Sequence, residues 1–409
     1  MNCLKKIFCR KMEKSISFLL GAGFSAPKGY PIGNQLNGKL LACTGDNFAF
    51  STDGSLVVNT DGTKPDLGYK NPYDLYFDFC SDLMHYYNNS IKPFDYEEFY
   101  DYLKIDAKRD PALIDFFQAK RYNNGDANLD DYLFQIDNIF NQLVSFYLKD
   151  ANGKSRHDDE PFCLKPRFDG YTGFLNCIES FLKEYVVNVH TLNHDLFFER
   201  LNNTEWINNE LCDGFDEMGS PYYGKLSHDN RSYFCRLERY TGVYDKKLRL
   251  YKLHGSKDYY LYFRTEGSTS IPEAYIKGKW GIGSSDFYKE KTDNDNHLVY
   301  ENCWVNYHSD FLTGTTSKII RYREPLLFHK LFKIFEDNLR RADILIIIGY
   351  GCKDSEINKI ITEKYGSDKP CYIVDPYAGD TVENFIKEMG NNAKLITQQL
   401  SSLKINDFK

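Results

Sequence analysis

Several features that would decide the class of this protein at once are missing from its sequence. The 409 residues contain no apolar run close to the ~20 residues that a membrane-spanning helix needs, so we expect no membrane segment. The formal net charge is -7, without the basic excess of a general nucleic-acid binder, so direct nucleic-acid binding is not expected. There is also no internal repeat and no low-complexity tract.

The eleven cysteines are scattered, and no two of them have the C-x2-C or C-x4-C spacing of a zinc site. An odd, unpaired set is typical of reduced thiols in a cytosolic protein rather than of a disulfide framework. We therefore expect a cytoplasmic protein with no metal. The stretch from Lys5 to Ala26 superficially resembles a signal peptide, but its apolar run is short and its glycines have another explanation.

Strands and helices alternate at both ends of the chain. Helical spacing is present at 31–41, 178–183 and 355–364. Short β-prone apolar runs predict buried strands at Ser15–Leu20, Tyr185–Val189, Leu248–Leu253, Ile344–Ile348 and Cys371–Val374. This alternation predicts an α/β fold with a Rossmann-like, doubly wound parallel sheet. Its ligand crevice should lie at the carboxyl ends of the strands.

Two stretches interrupt this alternation. Residues 44–70 are rich in Gly, Asp, Thr and Asn, and Asp53-Gly54 predicts a surface hairpin. Residues 72–150 show helical apolar spacing with many tyrosines, which predicts a helical insertion within one catalytic domain spanning 12–409. The charged run at 150–161 predicts a linker. The aromatic residues of the insertion suit a protein interface, and a cover packed over the sheet is the alternative.

A glycine turn follows the first predicted strand. The residues from Gly21 to Ala26 fit G-x-G-x-x-A, in which glycines let the backbone approach a pyrophosphate and free N–H groups at a helix start bind its charge. A tight strand-to-helix turn is the alternative. The usual fingerprint also expects an acidic residue ending a second strand about twenty positions later. Asp46 lies instead in the Gly/Asp-rich stretch, which disfavours an ordinary NAD dehydrogenase.

The other predicted strands also end in polar or glycine residues. Thr191, Asn193 and Asp195 alternate, so they point the same way if the strand conformation continues. Helix capping by Asn193 or Asp195 is the alternative, and both interpretations can hold. The remaining strand ends carry His254-Gly255, Gly349-Tyr350-Gly351 and Asp375-Pro376. Five such ends in one chain favour a shared site.

Together these stretches resemble the sirtuin family, more closely its divergent prokaryotic branch found in anti-phage defence systems. The similar segments are GAGFSAPKGYP, TLNHD, KLHGS, DFLTGTTSK, GYGCKDSEIN and IVDP, within residues 17–34 and 185–376. The resemblance implies that Asn193 and Asp195 face the nicotinamide ribose and that His254 is the catalytic base. It implies a dinucleotide site that includes Gly21, Ala22, Gly23, Ser25, Thr191, Gly349, Tyr350 and Asp375.

The resemblance also indicates an activity. We expect an NAD+ hydrolase that cleaves the nicotinamide–ribose bond, with NAD as substrate, and depletes NAD in abortive infection. An NAD-dependent protein deacylase is an alternative, disfavoured because the two C-x2-C pairs are missing and GYPIGNQ replaces GIPDFR. A catalytically silent nucleotide-sensing or assembly module is another, disfavoured by the presence of both Asn193 and His254. The implied partners are further copies of the chain, a HerA-type ATPase or a phage-derived trigger. The sequence leaves the selectivity for NAD over NADP open.

Overall fold

The computed structural model describes residues 13–59, 63–69, 71–120, 122, 128–149, 151, 168–228, 231–279, 282–302, 304–305 and 308–409. Its centre is a parallel sheet of seven strands, numbered here along the chain. They are β1 (Ser15–Leu20), β2 (Val186–Thr191), β3 (Leu211–Cys212), β4 (Leu248–Lys252), β5 (Ile344–Ile348), β6 (Cys371–Val374) and β7 (Ala393–Ile396). The five strands expected from the sequence are all present, within one or two residues of the predicted bounds.

The order of the strands across this sheet is β7-β6-β5-β1-β2-β4-β3, and every neighbouring pair is parallel. The chain adds strands on one side of β1 as far as β4 and then crosses to the other side, where it adds β5, β6 and β7. The order therefore reverses at β1. The predicted doubly wound parallel sheet is confirmed, and a ligand crevice is expected beside the carboxyl end of β1.

Both faces of the sheet are covered, as parallel sheets require. Ile16, Phe18 and Leu20 of β1 face a core formed with the helix Thr172–Leu182 and the short C-terminal helical turns. Leu19 faces the opposite core, formed with the helices Phe328–Arg341, Ser355–Tyr365 and Asp380–Met389. Because alternate residues serve both cores, all six residues of β1 are buried.

A separate hydrophobic core lies in the helical region between β1 and β2. It joins the helix Gly33–Leu41 and the hairpin of Ala49–Phe50 with Leu56–Val57 to the helices Pro72–Ser90, Tyr96–Asp101, Pro111–Lys120 and Leu129–Tyr147. Asp95 caps one of these helices by accepting from the Glu97 and Glu98 amides. The predicted hairpin is present, but Phe48 and Phe50 bury it in this core. The excursion is therefore part of the packed structure.

Most aromatic residues of the helical region belong to this core, which changes their interpretation. Phe79, Tyr87, Phe99 and Phe140 are at most 1% exposed. The expectation that these aromatic residues serve a protein interface is therefore wrong for the buried majority. Phe134, at 76% exposed, is an exception among the described residues of the region.

The sequence did not predict the antiparallel strands between β2 and β5. One sheet has five strands: Phe215–Asp216, Arg239–Tyr240, Tyr259–Glu266, Thr269–Lys277 and Trp304–Val305. Another has four: Tyr222–His228, Arg231–Arg236, Phe287–Thr292 and Leu298–Asn302. The shorter helices are Ala22–Ser25, Phe197–Arg200 and Ser317–Arg321.

The basic N-terminal stretch lies outside the described residues, as does most of the predicted linker at 150–161. Among the helices that the structure describes, none combines the length and apolar character needed to cross a membrane.

Candidate active site

Two glycine turns are in direct backbone contact at the carboxyl ends of β1 and β5. The Gly21 amide donates to the Ile348 carbonyl (3.0 Å) and the Gly23 amide to the Gly349 carbonyl (2.9 Å). A Cβ atom at Gly23 would lie 2.7 Å from the Gly349 Cα. One at Gly349, where φ is +59°, would lie 2.4 Å from the Gly23 carbonyl carbon. Only glycine fits such an approach, so both turns have a structural reason that does not involve a ligand.

The amides of the first turn are mostly engaged within the protein. Besides Gly21 and Gly23, the Phe24 amide donates to the Gly21 carbonyl (2.9 Å). The helix that follows, Ala22–Ser25, has only four residues. The expectation of free N–H groups at this turn is therefore corrected for these three amides, because the neighbouring strand end accepts from Gly21 and Gly23 and the turn itself accepts from Phe24.

Asn193 contacts the glycine turn. Strand β2 ends at Thr191, and the Thr191 hydroxyl accepts from the Asn193 amide (3.1 Å). The Asn193 side-chain nitrogen then donates to the Gly21 carbonyl (2.9 Å) and to the Ser25 hydroxyl (3.2 Å). The structure thus brings together four of the predicted site residues at the crevice expected from the strand order.

Asp195 serves the local turn but does not cap the helix that follows, whose N-cap is Leu196. Its Oδ1 accepts from the Phe197 amide (2.9 Å) at the start of the helix Phe197–Arg200, and its carbonyl accepts from the buried Lys252 ammonium. The expected alternation of Thr191, Asn193 and Asp195 on one strand face is not observed, because β2 ends at Thr191.

His254 lies just beyond β4 and is 4% exposed. Its Nε2 is 3.2 Å from the Tyr322 hydroxyl and 3.8 Å from Asp354 Oδ2. Burial, followed by the positive charge of Lys318 and by neighbouring His194, holds the pKa of this imidazole well below its usual 6.5. His254 is therefore neutral at physiological pH, which is the form that a general base requires.

A buried ionic group lies next to His254. Lys318 Nζ is 2.8 Å from Asp354 Oδ2 and 3.3 Å from Glu97 Oε2, and the lysine is 3% exposed. Burial alone would lower the pKa of Lys318, but the carboxylates of Glu97 and Asp354 outweigh burial and raise it. Burial raises the pKa of Glu97. Lys318 is thus a charged ammonium between two carboxylates, one of which belongs to the helical region.

A second carboxylate of the helical region fixes the loop that carries Lys318. Asp101 Oδ2 accepts from the amides of Thr315 (3.0 Å) and Thr316 (2.7 Å), and Oδ1 accepts from the Ser317 amide (3.0 Å). The hydroxyls of Thr315 and Ser317 also donate to it, at 2.6 Å each. Burial opposes the charge, but these hydrogen bonds prevail and lower the pKa of Asp101. The helix Tyr96–Asp101 therefore holds residues 315–318 through two carboxylates.

His194 adds a second imidazole near His254. The ring centroids are 6.3 Å apart, and the His194 ring packs against Phe311 at 4.7 Å. Burial, with the charges of Lys252 and Lys318, lowers the pKa of His194 to about 3. Its Nδ1 has no hydrogen-bond partner among the described residues. A neutral nitrogen of this kind suits a polar group of a bound molecule.

Of the three remaining candidates, Ala22 is exposed at the start of the helix Ala22–Ser25, and the other two have structural contacts of their own. The Tyr350 hydroxyl donates to the Asp354 carbonyl (3.0 Å) and contacts Asn358 Oδ1 (2.8 Å). Asp375 Oδ1 accepts from the Tyr377 amide (2.9 Å) in the turn after β6. β6 is separated from β1 by β5, so Asp375 stands one strand further from the crevice than Gly349.

The sequence interpretation missed Lys318, Tyr322 and Glu97 as functional candidates. Lys318 ends the segment DFLTGTTSK, so its place in that segment was available as a signal. Tyr322 and Glu97 carried no such signal, because they reach His254 only through contacts between distant parts of the chain. Asp354 lies within the segment GYGCKDSEIN, where its acidic side chain directly precedes the helix Ser355–Tyr365 that it caps.

Comparisons with known proteins give limited results. No protein-family model matches the chain, and a search of curated proteins finds no relative. Solved structures that match include a Sir2 homologue in complex with NAD, at 10% identity and a TM-score of 0.34, covering 95% of this chain and 86% of that one. A second, described as a structural basis for the mechanism and regulation of Sir2 enzymes, has 13% identity, a TM-score of 0.34 and coverages of 97% and 91%. A third, Sir2 bound to acetylated peptide, has 12% identity, a TM-score of 0.30 and coverages of 95% and 90%.

Similarities this weak carry no argument about function. The fold assignment rests instead on the order and parallel register of the seven strands.

The glycine contact predicts a position-specific loss of stability. Gly349→Ala should lower the free energy of unfolding by about 2 kcal/mol or more, because alanine is strained at a left-handed φ and its Cβ meets the Gly23 backbone. Gly351→Ala is the matched control, since its Cβ would meet only a lysine side-chain carbon at 4.0 Å. Urea unfolding of the two variants measures the difference. Equal stability would contradict the contact.

The buried imidazoles predict acid sensitivity. Burial lowers the pKa of His190 and of His194 to about 3, and that of His254 to well below 6.5. Above about pH 6.5 neither the folded nor the unfolded chain is protonated at these sites. Below it only the unfolded chain takes up protons, so stability is lost as pH falls from about 6.5 toward the folded pKa values.

Each imidazole then contributes a slope of at most about 1.4 kcal/mol per pH unit. The raised pKa values of Glu97 and Glu199 act in the opposite sense near their own titration. Urea unfolding between pH 7.5 and 5.5 should therefore show a free energy of unfolding that decreases as the pH is lowered. A constant or rising free energy would show that these imidazoles are protonated in the folded protein.

Proposed function

We propose that the chain is an NAD+ hydrolase, which cleaves the bond between nicotinamide and ribose to give nicotinamide and ADP-ribose. The observation that carries this proposal is the position of a neutral, buried His254 and of Asn193 at the carboxyl ends of adjacent parallel strands, next to the reversal of strand order at β1. In sheets of this kind, ligands bind at this point. The sirtuin-like sequence segments support the choice of NAD+ as the ligand.

The chemistry needs few protein groups. The bond from the ribose carbon to the nicotinamide nitrogen breaks, its electrons neutralise the cationic ring, and water adds to the oxocarbenium-like ribose. His254 accepts the proton of that water, or of a ribose hydroxyl that assists it. In the structure the Tyr322 hydroxyl is hydrogen-bonded to the His254 Nε2 at 3.2 Å. We propose that a substrate hydroxyl takes this position when NAD+ is bound.

Asn193 has the complementary role of positioning. Its side-chain nitrogen is held by the Gly21 carbonyl and by Ser25, which fixes the plane of the amide. A fixed amide can orient water or a ribose hydroxyl without reorganising during the reaction. Asp195 keeps this loop in place by accepting from the Phe197 amide, and the proposal assigns it no contact with substrate.

We further propose that the biological consequence is depletion of NAD in anti-phage defence. This part of the proposal rests on the resemblance of the sequence segments to that branch of the family. A hydrolase of this type must be held inactive until needed, because constant turnover would exhaust the NAD of its own cell. We therefore propose regulation by self-assembly, by a partner ATPase of the HerA type or by a phage-derived trigger.

Substitution of the two central residues should remove activity without unfolding the protein. His254→Ala should lower NAD+ turnover by about 10²–10⁴-fold, the usual contribution of a general base, and Asn193→Ala should also abolish detectable cleavage. His85→Ala, which removes an exposed imidazole from the helix Pro72–Ser90, is the matched control. Turnover is measured as release of nicotinamide. Near-normal turnover by folded His254→Ala would refute the assignment.

An exposed aromatic surface supports assembly with a second copy of the chain. On the four-stranded antiparallel sheet, the rings of Phe234 and Tyr300 stack at 4.5 Å, and both side chains are more than a third exposed. Leu298 and Val299, which lie on the same edge strand as Tyr300, are also exposed. Monomeric proteins rarely leave clustered apolar side chains in water, and aromatic residues are enriched at interfaces.

Assembly should therefore depend on this sheet. The double variant Phe234→Ser/Tyr300→Ser should sediment as a smaller species than the wild type and should turn over less NAD+ at equal concentration. Phe134→Ser is the matched control, because it removes an exposed ring from the helical region instead. A wild-type monomer whose turnover per molecule is high and independent of concentration would contradict regulation by self-assembly.

A further inference from the structure

Lys318 and Asp354 together bear on the protonation and orientation of His254. Asp354 Oδ2 lies between two cationic candidates, 2.8 Å from Lys318 Nζ and 3.8 Å from His254 Nε2. Its other oxygen, Oδ1, accepts from the Glu356 and Ile357 amides (3.2 Å each), which fixes the carboxylate at the start of its helix. The ammonium is therefore the close partner of Asp354 Oδ2, and the imidazole lies 1 Å further from it.

The charged and titratable groups around His254 come from three elements. Lys318 and Tyr322 belong to the helix Ser317–Arg321 and the turn after it, Asp354 precedes the helix Ser355–Tyr365, and His194 lies in the loop after β2. Asp354 is the anionic member of this set. If Lys318 were absent, the carboxylate would face the imidazole alone and would favour its protonated form.

We propose that Lys318 is a positioning residue for the base: its ammonium holds the Asp354 carboxylate, and the helical region in turn holds Lys318 through Glu97. This inference rests on the proposed function, in which His254 must accept a proton. Lys318 acts through Asp354 and need not touch the substrate. The helical region is then a part of the catalytic apparatus, because Glu97 (3.3 Å from Lys318) and Asp101 both lie on its helix Tyr96–Asp101.

The burial of Lys318 and Asp354 strengthens their electrostatic influence on His254. Lys318 is 3% exposed and its ammonium is flanked by two carboxylates. Water therefore screens the attraction between the Asp354 carboxylate and a neighbouring positive charge only weakly. An exposed lysine at the same distance would have little influence on the imidazole. The ammonium also contributes its own positive charge, which disfavours a second positive charge on His254.

A double-substitution cycle tests the inference through the pH dependence of kcat/KM for NAD+. In Lys318→Met the acid limb should move upward by one pH unit or more, so that activity near pH 6 falls at least tenfold and recovers toward pH 8. In Lys318→Met/Asp354→Asn the limb should return to its wild-type position, because the carboxylate is gone as well. Lys108→Met, which breaks an exposed pair with Asp130, is the matched control and should leave the profile unchanged.

A purely structural role for Lys318 would lower stability or activity equally at every pH. An unshifted acid limb in folded Lys318→Met, or a shift that persists in the double variant, would overturn the inference. Should Lys318→Met fail to fold, Lys318→Met/Glu97→Gln replaces it, since this pair leaves one fewer buried carboxylate without a partner. The same upward shift is expected there.

A measurement without turnover separates this inference from the proposed function. Proton NMR of histidine labelled with ¹³C, with the His254 signal assigned by its loss in His254→Ala, reports the imidazole titration directly. His254 should stay neutral down to pH 6 in the wild type. In Lys318→Met the imidazole should become protonated at a higher pH than it does in the wild type. Wild-type protein that leaves NAD+ intact would remove the proposed function, whereas an unchanged His254 titration in Lys318→Met would remove the inference.

Discussion

The backbone contact between the Gly23 and Gly349 turns sets the geometry on which the rest of the site depends. It joins the ends of β1 and β5, the two strands on either side of the point where the strand order reverses. The Gly21 carbonyl that this turn presents is the acceptor for Asn193, which places β2 relative to β1. The same Asn193 loop carries His194, whose ring lies 6.3 Å from that of His254. Two glycine turns thus fix the positions of side chains that arrive from several strands.

The second constraint is the connection between the sheet and the helical region. Asp101 accepts five hydrogen bonds from the turn at 315–317, and Glu97, on the same helix as Asp101, pairs with Lys318. Lys257, which lies beyond His254, donates to the Ser145 and Leu148 carbonyls at the end of the helix Leu129–Tyr147. The helical region therefore contacts both the loop that follows His254 and the segment that carries Lys318. A movement of these helices would change the surroundings of the proposed base.

The sequence predicted the central sheet well because its strands are buried on both faces. Ile344–Ile348 and Cys371–Val374 are uninterrupted apolar runs, and the structure has them with the predicted bounds. The strands Arg231–Arg236 and Leu298–Asn302 escaped prediction because most of their side chains are exposed and give no apolar pattern.

The candidate site divides in the same way. Asn193 and His254 follow buried strands, so they could be proposed from local sequence. Lys318 and Glu97 are 221 residues apart, and no local pattern connects them. The glycine motif was recognised, but its Gly21 and Gly23 amides bond to the end of the adjacent strand, which only the packing of two strand ends reveals.

The central claim is that the residues at this crevice cleave NAD+ by themselves, with water as the acceptor. Its most direct test is product analysis of purified wild-type protein with NAD+, without any acylated peptide, at concentrations that extend into the assembled state. The account predicts nicotinamide and ADP-ribose in equal amounts, and about 10²–10⁴-fold slower formation of both with His254→Ala. NAD+ that stays intact with assembled wild-type protein both alone and with its partner ATPase or phage-derived trigger, or that is consumed only after an acylated peptide is added, would contradict it.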